Sequence, residues 1–148
     1  LGWKVENVSE AALAERVAKE MLSREGTGLA WNIEIEKTGP GYSRLSMTIQ
    51  PGMLNGHGIA HGGMLFALAD TAFAYACNSR NEASVSQSAS IVFIDSVKSG
   101  ERIVAEASET AHKGRNRVYS VTVTGADGRV VAVVQSLGRT LGGPVIDL

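Results

Sequence analysis

Residues 54–79 read LNGHGIAHGGMLFALADTAFAYACNS, and the fold follows from how this stretch is read. Between Gly62 and Cys77 nearly every residue is apolar or small. Met64, Leu65, Leu68, Ala69, Ala72, Phe73 and Ala76 recur at helical spacing, and Ala67, Thr71 and Ala74 put no charge on the other side. The pattern predicts one helix buried almost all round, a core that other elements wrap. It is too short and too interrupted for a membrane span, which takes about 20 apolar residues.

Asp70 stands in the middle of that helix with no Lys, Arg or His between Gly62 and Cys77 to neutralise it. Burying a bare carboxylate costs several kcal/mol, of the order of a whole domain's stability, unless hydrogen bonds, a partner charge or water reach it. Asp70 is therefore expected to face a cleft. Two roles fit it, a structural bond to a neighbouring backbone group or a part in chemistry, and the pattern weighs them evenly.

His61 is followed by Gly62 and Gly63, each costing about 1 kcal/mol relative to Ala inside a helix. The pair either lets the loop turn or lets a group approach the backbone closely. The first turn of a helix carries unpaired N–H groups and partial positive charge, which suits a developing oxyanion or a thioester carbonyl. Gly62 and Asp70 are eight positions apart, or about 12 Å along one helix. A base and an oxyanion donor must both lie within about 3 Å of one reacting group. One chain does not supply both. Two copies running antiparallel about a two-fold axis would, so two equivalent composite sites across a dimer interface are expected.

Asn55, His61, Gly62, Gly63 and Asp70 at this spacing, with the continuation LADTAFAYACNS, resemble the hotdog-fold acyl-CoA thioesterases of the phenylacetic-acid-degradation (PaaI-like) type. The resemblance runs from about Ala30 onward. It implies an α+β hotdog fold, an antiparallel sheet wrapped around one long central helix. It also implies a homodimer joined sheet edge to edge, often paired again into a homotetramer.

Composition agrees with one domain over residues 1–148. Lys and Arg number 14 against 15 acids, a net charge of −1 that offers no basic field to nucleic acid. The single Cys77 excludes an internal disulfide framework, gives no zinc constellation and reads as packing. The opening residues mix charges with small apolar runs, unlike a secretory signal, so a cytoplasmic protein is expected.

An amphipathic helix is predicted from about Ser9 to Arg24, within an N-terminal extension over residues 1–28. Leu13, Val17, Met21 and Leu22 form its stripe. Asn7 with Glu10 resembles a capping box, with Ser9 as the alternative cap, and Gly26 and Gly28 are expected to end the helix. Trp31–Lys37 and Tyr42–Gln50 alternate as a hairpin around Gly39, Pro40 and Gly41. After the central helix, strands are predicted at Val85–Ile94, Arg102–Ala111, Arg117–Gly125 and Val130–Arg139. Ala126, Asp127 and Gly128 join the last two. One hairpin, one buried helix and further antiparallel strands make an α+β arrangement without the resemblance.

The resemblance assigns roles. Asp70 activates water as general base or attacks the thioester directly to give an anhydride. Gly62 N–H polarises the carbonyl, Asn55 holds water or the carbonyl, and His61 orients the loop and bonds near the sulfur. Gly63 joins the substrate site. From their place alone, Ser86 or Ser88, at the start of the strand after the helix, either bonds the reaction water or is an ordinary strand hydroxyl. Lys113 and Arg115, in the segment His112–Arg117, are the best local cluster for the coenzyme A phosphates, with Lys98 and Arg102 second. Asp95 and Ser96 stand where the family often has Arg-Pro. Neither a metal nor a redox cofactor is implied, coenzyme A being part of the substrate. The expected function is hydrolysis of aryl or medium-length acyl-CoA thioesters, (hydroxy)phenylacetyl-CoA among them, to free acid and coenzyme A in phenylacetate degradation. A hotdog hydratase or dehydratase and a non-catalytic acyl-CoA-binding module are the alternatives.

Overall fold

A computed structural model describes residues 8–148. Helix α1 spans Glu10–Arg24, α2 Gly26–Trp31 and α3 Gly62–Cys77; the strands are β1 (Glu34–Gly39), β2 (Tyr42–Thr48), β3 (Ser84–Phe93), β4 (Arg102–Lys113), β5 (Asn116–Thr124) and β6 (Val130–Thr140). All neighbouring strands are antiparallel, in the order β1-β2-β4-β5-β6-β3. The sheet curls around α3 and buries Leu65, Leu68, Ala72, Phe73 and Ala76 against Leu45, Met47, Ile103, Val121 and Val123. Phe73 meets Tyr119 edge to face, with ring centroids 5.3 Å apart. This is the single helix in an antiparallel sheet that the sequence predicts.

The helix is not buried all round, however. Phe66, Ala67, Asp70, Thr71 and Ala74 remain partly exposed on the face turned away from the sheet. The sheet has only one concave side, so the opposite stripe of α3 is left open in a single chain.

Ser9 caps α1 by accepting from the Ala12 N–H at 3.2 Å. Asn7, the other capping candidate, lies outside the described residues. The expectation that Gly26 and Gly28 end the helix needs correction. The chain breaks at Glu25, which is extended, and Gly26 starts a second short helix. Gly28 is buried, and a Cβ there would lie 2.5 Å from Leu22 Cδ1. Lacking a side chain lets α2 fold back onto α1. Trp31 therefore belongs to α2, Asn32 caps that helix in the left-handed region, and β1 begins only at Glu34.

Strand β3 is an edge, exposed along almost its whole length. Val92, Phe93 and Ile94 at its end are each more than half exposed. A long unpaired edge with an apolar end is a template for another strand. A register shift between Ser86 and Ser88 places a bulge at Gln87 and turns the two serines to opposite faces.

Candidate active site

The loop before α3 is held by Asn55. Its Oδ1 accepts from the backbone N–H groups of His57 (2.9 Å) and Ile59 (3.3 Å), and its own N–H donates to the Ile59 carbonyl (2.8 Å). The carboxamide oxygen is thus used locally, which leaves Nδ2 as the donor for a ligand. Asn55 orients the loop, a task the sequence reading gave to His61.

His61 caps α3. Its Nδ1 accepts from the Gly63 N–H at 2.9 Å, and its backbone N–H donates to the Met53 carbonyl. With Nδ1 occupied as acceptor, the neutral ring carries its proton on Nε2, which is a donor. The same bond takes up the Gly63 amide, so that group is not available to a substrate. Among the described residues no hydrogen bond takes up the Gly62 N–H. One free amide at the positive end of a helix is the result.

That amide borders a cleft of about 530 Å³, lined among others by Asn55, Gly62, Leu65, Phe93, Asp95 and Ser96. Asp70 is not part of it. It lies two turns further along α3 on the open face, with no hydrogen bond or ion pair among the described residues. Burial pushes its carboxyl above the ordinary aspartate range. The cleft and the acid are thus separate within one chain.

Glu25, missed in the sequence reading, is also half-buried, at the junction of α1 and α2. Burial pushes its carboxyl up, Tyr75 and Thr27 pull it down, and the charge of Asp70 adds a smaller upward push. Tyr75 Oη beside it is buried without a hydrogen bond of normal geometry. An isolated acid in front of two glycines carries no periodic signal, so only packing reveals it.

Ser86 pairs with Gly138, whose Cα abuts Cys77 and Phe73 of α3. Paired residues share a face, so Ser86 points to the helix side. Ser88 pairs with Leu137 and lines a hollow with Val118 and Gln135 on the other face. Lys113 and Arg115 are exposed at the tip of the β4–β5 hairpin. Strand β4 runs from the cleft end at Arg102, so Lys113 lies about 35 Å away along it. Arg102 is paired with Glu36, and Lys98 is exposed.

The loop carrying Asp95 and Ser96 is anchored by Arg129, also unforeseen. Its guanidinium bonds Asp95 (3.1 Å), Glu101 (2.7 Å), Asp127 (2.8 Å) and the Ser96 carbonyl (2.6 Å). Hydrogen bonds from Arg129 hold the Glu101 carboxyl down at about 2. A cation just before β6 thus ties the loop to the β5–β6 turn. Among the described residues no group of three or more His, Cys, Asp or Glu is placed to hold a metal, and no helix is long and apolar enough to cross a membrane.

Residues 57–132, across the capped loop, α3, the cleft and the sheet, match the Thioesterase superfamily. The chain belongs to that family. It is 35% identical to the acyl-coenzyme A thioesterase PaaI of Escherichia coli over 129 residues, 86% of this chain and 91% of that protein. The structure of the E. coli PaaI protein from the phenylacetic acid degradation operon superposes with a TM-score of 0.90 at 33% identity, covering 92% of this chain and 99% of that one. A hypothetical thioesterase protein of Streptococcus pneumoniae solved with coenzyme A superposes with a TM-score of 0.73 at 26% identity, covering 76% of this chain and 88% of that one. That protein has also been solved with an aspartate and, sixteen positions later, a threonine each replaced by alanine. The hotdog fold and the thioester-hydrolase class inferred from the motif stand with this membership.

Proposed function

We propose that this thioesterase hydrolyses aryl- or medium-chain acyl-CoA thioesters, (hydroxy)phenylacetyl-CoA among them, at sites shared by two copies of the chain, in the cytoplasm and in phenylacetate degradation. One observation carries the reading. The free Gly62 amide and the unpaired Asp70 carboxylate lie about 12 Å apart along one helix whose Asp70 stripe is left open, and the edge strand β3, apolar at its end, is unpaired.

Antiparallel pairing of β3 with its two-fold mate would cover that edge and bring α3 against α3 of the second copy, one copy's Gly62 beside the other's Asp70. A pair of such dimers is the tetramer expected for the family. Asp70 takes a proton from water as the water oxygen bonds to the thioester carbon. The carbonyl electron pair moves onto oxygen, where Gly62 N–H and Asn55 Nδ2 donate to it. Collapse breaks the C–S bond, and the coenzyme A thiolate leaves and takes up the proton that Asp70 received, which returns Asp70 to its carboxylate; His61 Nε2–H would donate a hydrogen bond to the departing sulfur. Raised basicity from burial suits Asp70 to this role. Direct attack by the carboxylate, giving a mixed anhydride that water then opens, uses the same groups. Single turnover in ¹⁸O-water separates general-base attack from an anhydride that water opens at the Asp70 carbonyl, because only the latter leaves the label on Asp70 and carries an unlabelled enzyme oxygen into the first product.

Ser86 is the serine suited to hold the water, since it faces α3. It stands sixteen positions after Asp70, the separation of the two residues replaced in the pneumococcal protein. Lys113 and Arg115 would serve only a site reached from another copy. No resident cofactor enters these steps.

The test is thiol release over an acyl-CoA panel, followed by mixing two inactive variants. Asp70→Asn and Gly62→Ala chains, co-refolded, should regain about a quarter of native turnover, because each mixed dimer holds one intact site. No recovery in mixtures shown to contain mixed dimers overturns the shared site. Hydration of an enoyl thioester, or tight binding without thiol release, overturns the hydrolase reading.

A further inference from the structure

The tip of the Phe93 ring stands where a side chain on Gly62 would stand. A Cβ built on Gly62 would lie 2.8 Å from Cζ, 3.0 Å from Cε1 and 3.4 Å from Cε2 of Phe93. These separations are below ordinary carbon contact of about 3.5–4.0 Å. Phe93 nevertheless is no core residue. Its side chain is 53% exposed, and it lines the same cleft as Asn55 and Leu65. It sits at the end of β3, level with Ala132 of β6, so the sheet aims it at the helix start.

An aromatic ring packed on the α-carbon beside a free amide does two things. It denies water one side of that N–H, and it leaves a ligand oxygen only the other side to come from. A donor screened from water stabilises developing negative charge more strongly than a hydrated one. The neutral carbonyl of the ground state gains much less from the same screening, so the benefit falls in the transition state.

We infer that Phe93 is a positioning residue for thioester hydrolysis: its ring tip, wedged against Gly62, shields the Gly62 amide and sets the direction from which the carbonyl reaches it. The inference rests on the thioesterase reading and adds to it a residue outside the motif. It also gives the missing side chain at Gly62 a role, since it leaves room for the ring tip. An alanine keeps the N–H, but its methyl group collides with the ring.

The experiment is steady-state thiol release by the native chain, Phe93→Ala, Phe93→Leu, Gly62→Ala and the two double variants, with size and melting temperature measured on each. Phe93→Ala should lose about tenfold in kcat with KM within about threefold. Phe93→Leu, which keeps an apolar cover, should lose about threefold. Gly62→Ala should lose more than either, and removing the ring should restore the double variant to the level of Phe93→Ala. Phe93→Ala turning over like the native chain, or a double variant no faster than Gly62→Ala, overturns the inference. If the alanine variant does not fold, the leucine variant and its pairing with Gly62→Ala decide by the same comparison. Absence of thiol release from the native chain on every acyl-CoA overturns the thioesterase reading and this inference with it; release insensitive to Phe93 overturns this inference alone.

Discussion

At its C-terminal end α3 is tied down on every side. Asn78 Nδ2 donates to the carbonyls of Ala74 and Ser84 while its Oδ1 accepts from Ser84 N–H. Ser79 bonds the Ala76 carbonyl and accepts from Gly41 N–H. Arg117 joins Glu82 and Glu109, and Arg80 joins Glu109 again. The N-terminal end of the same helix is finished differently. His61 takes one amide, Asn55 spends its oxygen on the loop, and the Gly62 N–H faces a cleft. Both ends are made of polar groups near a buried helix, yet one spends them internally, Arg117 Nε excepted, and the other keeps the Gly62 N–H free. An unpaired helix-end donor costs stability, which is why the proposed site lies at the end that keeps one.

The largest effect that separates the two regions is chemical. Asp70→Asn should lower kcat by about 10³-fold, and a variant that retains most turnover would remove the acid from the reaction. The same substitution should raise the melting temperature at neutral pH by a few degrees. Burial lifts the folded-state pKa of Asp70 above its unfolded value. Its contribution to stability is therefore full below the unfolded value and lost as pH rises through the folded one, so at pH 7 the charged side chain costs stability that Asn does not.

Arg117→Met should act in the opposite sense, through the closed end. The side chain is 8% exposed, and its loss leaves Glu82 without its partner and Glu109 with Arg80 alone. Urea denaturation should show a loss of about 2–3 kcal/mol, with kcat per folded chain unchanged. A fall in kcat would mean that the two ends are coupled.

His61→Ala should cost about 1 kcal/mol by removing the cap. His61→Asn, which supplies another capping oxygen, should restore the melting temperature. Whatever turnover stays lost measures the Nε2–H donor separately from the cap.

The smallest expected effect is on pH dependence. The acid limb of kcat/KM should lie above the ordinary aspartate range because burial disfavours the charged form of Asp70. Glu25→Gln should move that limb to lower pH by less than about one unit, since the two acids oppose each other's ionisation. An unmoved limb would place Glu25 outside the electrostatics of the site.

Much of this contrast is written in local pattern. The period of Leu65, Leu68, Ala72, Phe73 and Ala76 defines α3 between Gly62 and Cys77, and the alternations of β2, β4, β5 and β6 give the strands. The unneutralised Asp70 and the Gly62–Gly63 pair are the sequence features on which the proposed site rests. Periodicity fails where the chain departs from it. Glu25 and Gly26 split what reads as one helix and its exit, and the bulge at Gln87 turns Ser86 and Ser88 apart although the strand still alternates in sequence.

The sequence by itself determined the central helix, the strands around it, the acid in its middle and the distance that keeps that acid from the glycines of its own chain. These depend on side-chain period and on the rise of a helix, which act within a few residues. Tertiary structure alone decided that Gly62 rather than Gly63 keeps a free amide, that Phe93 rests on it, that Arg129 anchors the Asp95 loop and that Glu25 stands near Asp70. Those outcomes depend on strand register and on close packing between residues distant in the chain, where a shift of one position changes which atoms meet.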